Sequence, residues 1–296
     1  MDSVIAIVGP TGVGKTRLSV KLAKELNGEI INADSTQVYR GLDIATAKAD
    51  KKEQEGVVHH LLDIKDVNED YSVYDFQKDA KEKIKDIKKR GKVPILVGGT
   101  GFYIKALLYG YDFEKEDSYD PFDEITTRDL YETLVSLDPE TKIHKNNRKR
   151  IVRAINYIKS FGKPFSAKPK HEVMVYDAIV VGLTTDRKKL YEVINNRVDS
   201  MMESGLLKEA KSLYDNNIRT KAVMTPIGYK ELFHMYDGVA PLDDVVDLIK
   251  KNSRNYAKRQ LTWFNNQMDV KWFNVDYENF NKTIAEVVEY VKEKKN

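Results

Sequence analysis

Apolar positions along the chain fall into short runs separated by amphipathic stretches. Val4-Ile5-Ala6-Ile7-Val8 is an uninterrupted apolar run ended by a Gly-rich turn, the pattern of a buried strand. From Thr16 to Leu26 the apolar residues shift to helical spacing, with Leu18, Leu22 and Leu26 on one face, and Asn27-Gly28 stops the helix. Glu29 to Ala33 reads as a second strand with Asp34 at its C-terminal end. Tyr74 to Lys89 is a charged amphipathic helix bearing Phe76, Ala80, Ile84 and Ile87, which Gly91 ends. Val93-Pro94-Ile95-Leu96-Val97 follows as a third strand. Strands alternating with helices predict an α/β fold, a parallel sheet flanked by helices.

The pattern changes between Asp112 and about Glu172. Charged, helix-compatible segments appear there without strand signals, broken by Pro121, Pro139, Pro164 and Pro169. The expected organisation is a core from residues 1–111 and 173–296, with a mainly helical insertion domain over 112–172. Strand character returns at Ala178-Ile179-Val180-Val181-Gly182-Leu183. Asp186 then caps a helix carrying Leu190, Val193, Ile194, Val198, Met201 and Met202, closed by Ser204-Gly205. A long helix is predicted from about Asp243 to Asn265, with Ile249, Tyr256 and Trp263 on its apolar side and Lys250, Arg254 and Lys258 on another. Val270 to Val275 reads as a last strand.

Composition narrows the possibilities. The 296 residues include no cysteine, which excludes disulfides, thiolate nucleophiles and Cys-ligated zinc. No apolar run approaches the roughly 18–20 residues that span a bilayer, and Met1-Asp2-Ser3 carries no basic flank of a signal peptide. A cytoplasmic monomer is the expectation. The net charge of +3 says little, but its distribution says more. Thr141 to His171 contains no Asp or Glu and ten Lys or Arg, after an acid-rich stretch from Asp112 to Glu140. Such a field suits a polyanion, and a solvated helical face is the plainer alternative.

The sharpest chemical signal is Gly9-Pro10-Thr11-Gly12-Val13-Gly14-Lys15-Thr16 between a strand and a helix. It satisfies the P-loop pattern. Its glycines let backbone N–H groups converge on phosphate oxygens, the helix start adds partial positive charge, Lys15 adds a full charge, and Thr16 offers a hydroxyl to Mg²⁺. ATP is the usual guest, but ATP-hydrolysing enzymes hold Mg²⁺ with an Asp ending another core strand. Here Val97 is followed by Gly98-Gly99-Thr100-Gly101. Asp34 could ligate a metal, act as a general base, or cap a helix beginning Asp34-Ser35-Thr36-Gln37. Gly98 to Gly101 is a strand-to-helix turn that permits close backbone approach and presents Thr100 at the same sheet edge. His59 and His60 are adjacent, a poor spacing for one metal, so packing or hydrogen-bonding roles are expected.

These motifs together resemble the bacterial tRNA dimethylallyltransferase family. The resemblance runs through Gly9–Thr16, Ala33–Lys48, His59–Ile64, Val97–Leu108, Ile227–Glu231 and Tyr256–Phe264, in family order. It implies a P-loop NTPase-like core with a helical tRNA-binding insertion. The implied reaction moves a dimethylallyl group from dimethylallyl diphosphate to N6 of adenine 37 of tRNA, releasing pyrophosphate. Asp34 matches the family's base, and Lys15, Thr16 and Mg²⁺ steady the leaving diphosphate. Thr100 matches a substrate-orienting residue, and Ser35, Thr36 and Gln37 match positions beside the base. Arg128, Lys149, Arg150 and Arg153 match tRNA contacts in the insertion. Prenylation of a free adenylate, a P-loop kinase or ATPase, and non-catalytic RNA binding are the alternatives.

Overall fold

The structure, a computed structural model, describes residues 3–113, 121–168 and 173–295. Pro169 and His171 of the basic stretch, and Met1 and Asp2, lie outside the described residues. Two compact units are present: residues 1–110 with 174–296, and residues 111–173.

The first unit is built on six parallel strands: β1 (Val4–Val8), β2 (Gly28–Asn32), β3 (His59–His60), β4 (Val93–Val97), β5 (Ala178–Thr184) and β6 (Lys271–Asn274). Their order is β3-β2-β4-β1-β5-β6. Every residue of β1 is buried, which is why its run is apolar without alternation. Its neighbours are in register, with Ile5 opposite both Ile95 and Ile179. Helices α1 (Lys15–Leu26), α2 (Val73–Lys89) and α3 (Gly101–Leu108) follow β1, β3 and β4. Ser72 and Asp75 close a reciprocal cap at the start of α2.

The second unit holds α4 (Thr127–Leu137) and α5 (Arg148–Phe161). Leu130 and Leu134 of α4 pack on Ile151, Val152, Ala154 and Ile155 of α5, with Ile143 from the connection. The chain then returns to the first unit for α6 (Arg187–Glu203), α7 (Leu206–Asp215), α8 (Lys221–Met224), α9 (Tyr229–Tyr236), α10 (Leu242–Gln267) and α11 (Phe280–Lys295). Among the described residues, no helix is long and apolar enough to cross a membrane.

Two expectations change. No helix begins at Asp34; residues 33–58 form turns. The Asp34 carboxylate instead closes a local turn, its Oδ1 accepting Thr36 N at 2.9 Å and Thr36 Oγ1 at 2.7 Å. The long segment that follows is tied down by side chains, one from α7 and one of its own. Glu209 on α7 accepts the N–H groups of Asp43, Ile44 and Ala45. Lys48 donates to Tyr39 O, Asp43 and Asp63.

The second change concerns α10. Its buried residues are Val245, Ile249, Ala257, Gln260 and Phe264, while Tyr256 and Trp263 are only half-buried. A seven-residue spacing drifts about 20° per heptad on a straight helix, so a stripe drawn through Ile249, Tyr256 and Trp263 rotates off the core. On another side of α10, Lys250 and Arg254 make side-chain contacts with α6. Lys250 pairs with Asp199 at 2.6 Å, and Arg254 donates to Asn195 at 2.6 Å, both on α6. His59 Nδ1 meets Val57 O at 2.9 Å and His60 Nε2 meets Glu29 at 2.7 Å, both hydrogen-bonding roles.

Candidate active site

In a parallel sheet the loops leaving the C-terminal strand ends converge on one edge. Here that edge gathers the loops after β1, β2 and β4. The β1 loop, Gly9 to Gly14, turns tightly into α1. Gly9 has φ +135°, and a Cβ there would lie 2.5 Å from Leu183 O. Gly14 has φ +82°, and a Cβ there would lie 2.6 Å from the Phe280 ring. Side chains are excluded at both places, so the loop can pass close to β5 and to Phe280.

Lys15 opens α1, and its Nζ donates to Pro10 O at 2.7 Å, folding back across the loop. Its pKa is lowered to about 7, first by burial and then by the Arg197 charge, with the Asp34 carboxylate opposing both. Lys15, Asp34 and Arg197 therefore share one electrostatic environment. Arg197 arrives from α6 and donates from Nη1 to Thr11 Oγ1 at 2.8 Å. Burial works against its charge, while Glu53 and Asp34 favour it.

Asp34 follows β2 and is held at its backbone by Asn32, whose Oδ1 accepts Asp34 N at 3.2 Å. Thr100, the residue before α3, links the next loop to this one: its Oγ1 accepts Ser35 N at 3.1 Å. Tyr256 lies nearby on α10. Burial, then the Asp34 charge, push its hydroxyl well above the ordinary tyrosine range, while the Gln260 and Thr100 side chains pull the other way. The Trp263 ring lies so close over Gly101 that a Cβ there would come within 2.1 Å.

Of the residues singled out from sequence, Lys15, Thr16, Asp34, Ser35, Thr36 and Thr100 meet at this edge. Gln37 braces the adjoining turn, its Nε2 donating to Thr46 O at 2.9 Å and Ala47 O at 3.3 Å. Arg128 lies exposed on α4, with Nε on Glu132 at 3.1 Å. Lys149, Arg150 and Arg153 lie exposed on α5. Two residues escaped the sequence reading, Arg197 and Gln260. Gln260 left a signal: it sits three residues after Ala257 and four before Phe264, a polar residue inside an apolar helical stripe.

Residues 37–267 match the family described as IPP transferase. The chain is 46% identical over 302 residues to the tRNA dimethylallyltransferase of Anoxybacillus flavithermus, covering 99% of this chain and 97% of that one. It is 48% identical over 284 residues to the tRNA dimethylallyltransferase of Bacillus subtilis, covering 92% and 90%. Among solved structures, it is similar to the full-length tRNA isopentenylpyrophosphate transferase from Bacillus halodurans, with TM-score 0.78, 43% identity and coverage of 99% and 97%. It is also similar to a eukaryotic dimethylallyltransferase described as acting on tRNA, with TM-score 0.86 and 32% identity, covering 96% of this chain and 77% of that one.

Proposed function

We propose a reaction for this site from the premise that the chain belongs to the IPP transferase family and transfers a dimethylallyl group to tRNA. The donor is dimethylallyl diphosphate, and its diphosphate sits in the P-loop. The acceptor is N6 of adenine 37. The observation that carries this reading is that Asp34, after β2, acts electrostatically on Lys15, after β1, across a crevice whose intervening β4 loop has no carboxylate.

An exocyclic adenine amine is a weak nucleophile because its lone pair is delocalised into the ring. Asp34 takes the N6 proton as the C–N bond forms, so positive charge does not build up on nitrogen. The C1–O bond breaks at the same carbon, and the electron pair leaves with pyrophosphate. Lys15, Arg197 and the amides of the loop oppose the charge developing there. The base must leave its stack to reach such a site.

The residues also suit Mg²⁺. Thr16 offers one hydroxyl, and among the described residues no cluster of three or more His, Cys, Asp or Glu builds a protein cage. That donor set fits an ion shared with phosphate oxygens and water, as Mg²⁺ prefers. When bound, the ion neutralises charge on the leaving diphosphate.

Lys15 makes donor binding depend on pH. With a pKa of about 7 it is largely neutral at alkaline pH, and an adjacent diphosphate favours its charged form. Corrected for the ligand's own titration, pyrophosphate binding should take up close to one proton at about pH 8 and much less at about pH 6. Calorimetry in buffers of different ionisation enthalpy measures this, and equal uptake at both pH values contradicts the placement of Lys15.

The second unit serves tRNA. Its α5 presents Lys149, Arg150 and Arg153 to solvent from a stretch without carboxylates. Replacing Arg150 and Arg153 by Glu should weaken tRNA binding and flatten the slope of log K against log salt by about two, one for each phosphate left unneutralised. An unchanged slope in filter-binding titrations removes these residues from the interface. The whole reading is tested by incubating the protein with Mg²⁺, dimethylallyl diphosphate and unmodified tRNA, then weighing the nucleosides. One added prenyl unit on adenosine supports it. Prenylation of free AMP but not of tRNA favours the free-adenylate reaction instead.

A further inference from the structure

We infer that Gln260 is a positioning residue, a single amide that sets the distance between the diphosphate cradle and the base. The inference rests on the reaction proposed above. Gln260 is buried on α10, between Ala257 and Phe264. Its Oε1 accepts Thr11 N from the P-loop at 3.0 Å, and its Nε2 donates to Gly99 O at 3.1 Å. Thr100 follows Gly99, and its hydroxyl accepts Ser35 N, next to Asp34. A hydrogen-bonded route therefore runs from the loop that holds the leaving group to the loop that carries the base, and Gln260 is its middle link.

Two features show the link to be close-fitted. A Cβ on Gly99 would lie 2.2 Å from Gln260 Nε2, so the β4 loop leaves room for this amide and nothing more. Thr11 is gripped from two sides, its N–H by Gln260 and its hydroxyl by Arg197. The position needs one acceptor and one donor on a rigid planar group, and among side chains of this shape only an amide supplies both at every pH.

That requirement gives a test beyond loss of activity. An ionised Glu at 260 accepts from Thr11 N but faces Gly99 O with a second acceptor, which opens the link. A protonated Glu donates to Gly99 O and closes it again. Burial raises the pKa of such a carboxyl. Among the described residues, the other charged or titratable groups at this corner are Asp34, Lys15, Arg197, Tyr256, Arg259 and Glu53, and all are unchanged in the variant.

The experiment compares the full chain with Gln260→Met, Gln260→Glu and Gly99→Ala. Prenyl transfer to unmodified tRNA is followed from about pH 6 to about pH 9, and pyrophosphate affinity by calorimetry. Gln260→Met should lose about 100-fold in kcat at every pH, the scale of a 1 Å misplacement, with pyrophosphate Kd within a few-fold. Gln260→Glu should recover toward the wild-type rate on the acid side. Above the pKa of the new carboxyl its rate relative to wild type should fall about tenfold per unit of pH. Gly99→Ala should reproduce Gln260→Met, because the methyl displaces the amide. A flat pH ratio for Gln260→Glu overturns the inference, and so does a parallel loss of kcat and pyrophosphate binding in all three variants. If the wild-type chain itself fails to prenylate tRNA, the reaction proposed above falls, and the inference falls with it.

Discussion

Asp34→Asn is expected to lower the turnover of prenyl transfer by about 100- to 10,000-fold, the range of a lost general base, while tRNA affinity stays within a few-fold. The amide isolates the proton role. Asp34 Oδ1 accepts from Thr36 N and Thr36 Oγ1, and an Asn oxygen can keep both bonds, so the turn after β2 persists. What disappears is the capacity to take a proton and the negative charge that faces Lys15. Because that charge raises the Lys15 pKa, its loss should lower it further. Donor affinity in the variant should therefore weaken more at alkaline pH than in the wild type. Single-turnover kinetics with saturating tRNA separate the two effects. Near-normal turnover in Asp34→Asn removes Asp34 from the role of base.

Lys15→Met is the second large effect. One preorganised charge on a developing oxyanion is worth about 100- to 1,000-fold in rate, and a bound diphosphate holds Lys15 in its charged form at the mouth of the loop. Among the described residues, the lysine Nζ donates to Pro10 O at 2.7 Å, a bond whose loss leaves α1 and its buried face intact. The variant should fold, bind tRNA as the wild type does, and lose kcat/KM for the donor by that factor. Donor kinetics alongside a tRNA gel shift check this. Values of kcat and KM for the donor within a few-fold of wild type place the diphosphate elsewhere.

The parts of the fold that were legible in the sequence are those with local signals. Strand β1 is a closed apolar run because its side chains are buried on both faces of the sheet, and the P-loop is eight consecutive residues. The turn at Gly98 to Gly101 and the aspartate ending β2 follow from short windows in the same way. The segment from Ala33 to Val58 was harder, because its conformation comes from Glu209 and Lys48 rather than from its own periodicity. Helices α7 to α9 are short, and short helices leave too few turns for a period to stand out.

The site was legible in the same uneven way. Lys15, Asp34 and Thr100 sit at strand ends, where topology alone brings them together. Arg197 and Gln260 reach the P-loop from 186 and 249 residues away. Only the packing of α6 and α10 puts them there, and no local pattern encodes that packing. Tyr256 was drawn into an apolar stripe because heptad spacing imitates a core face over two turns; its position beside Asp34 and Thr100 shows where the helix drift carries it.

The central claim is that the P-loop here holds a leaving diphosphate rather than a phosphate to be transferred. Pyrophosphate and prenylated adenosine measured together in a single turnover test it most directly. The two products are expected in equal amounts at equal rates, with no orthophosphate released. Phosphate released or transferred from ATP, with no alkylated adenosine when the allylic donor is supplied, would contradict it.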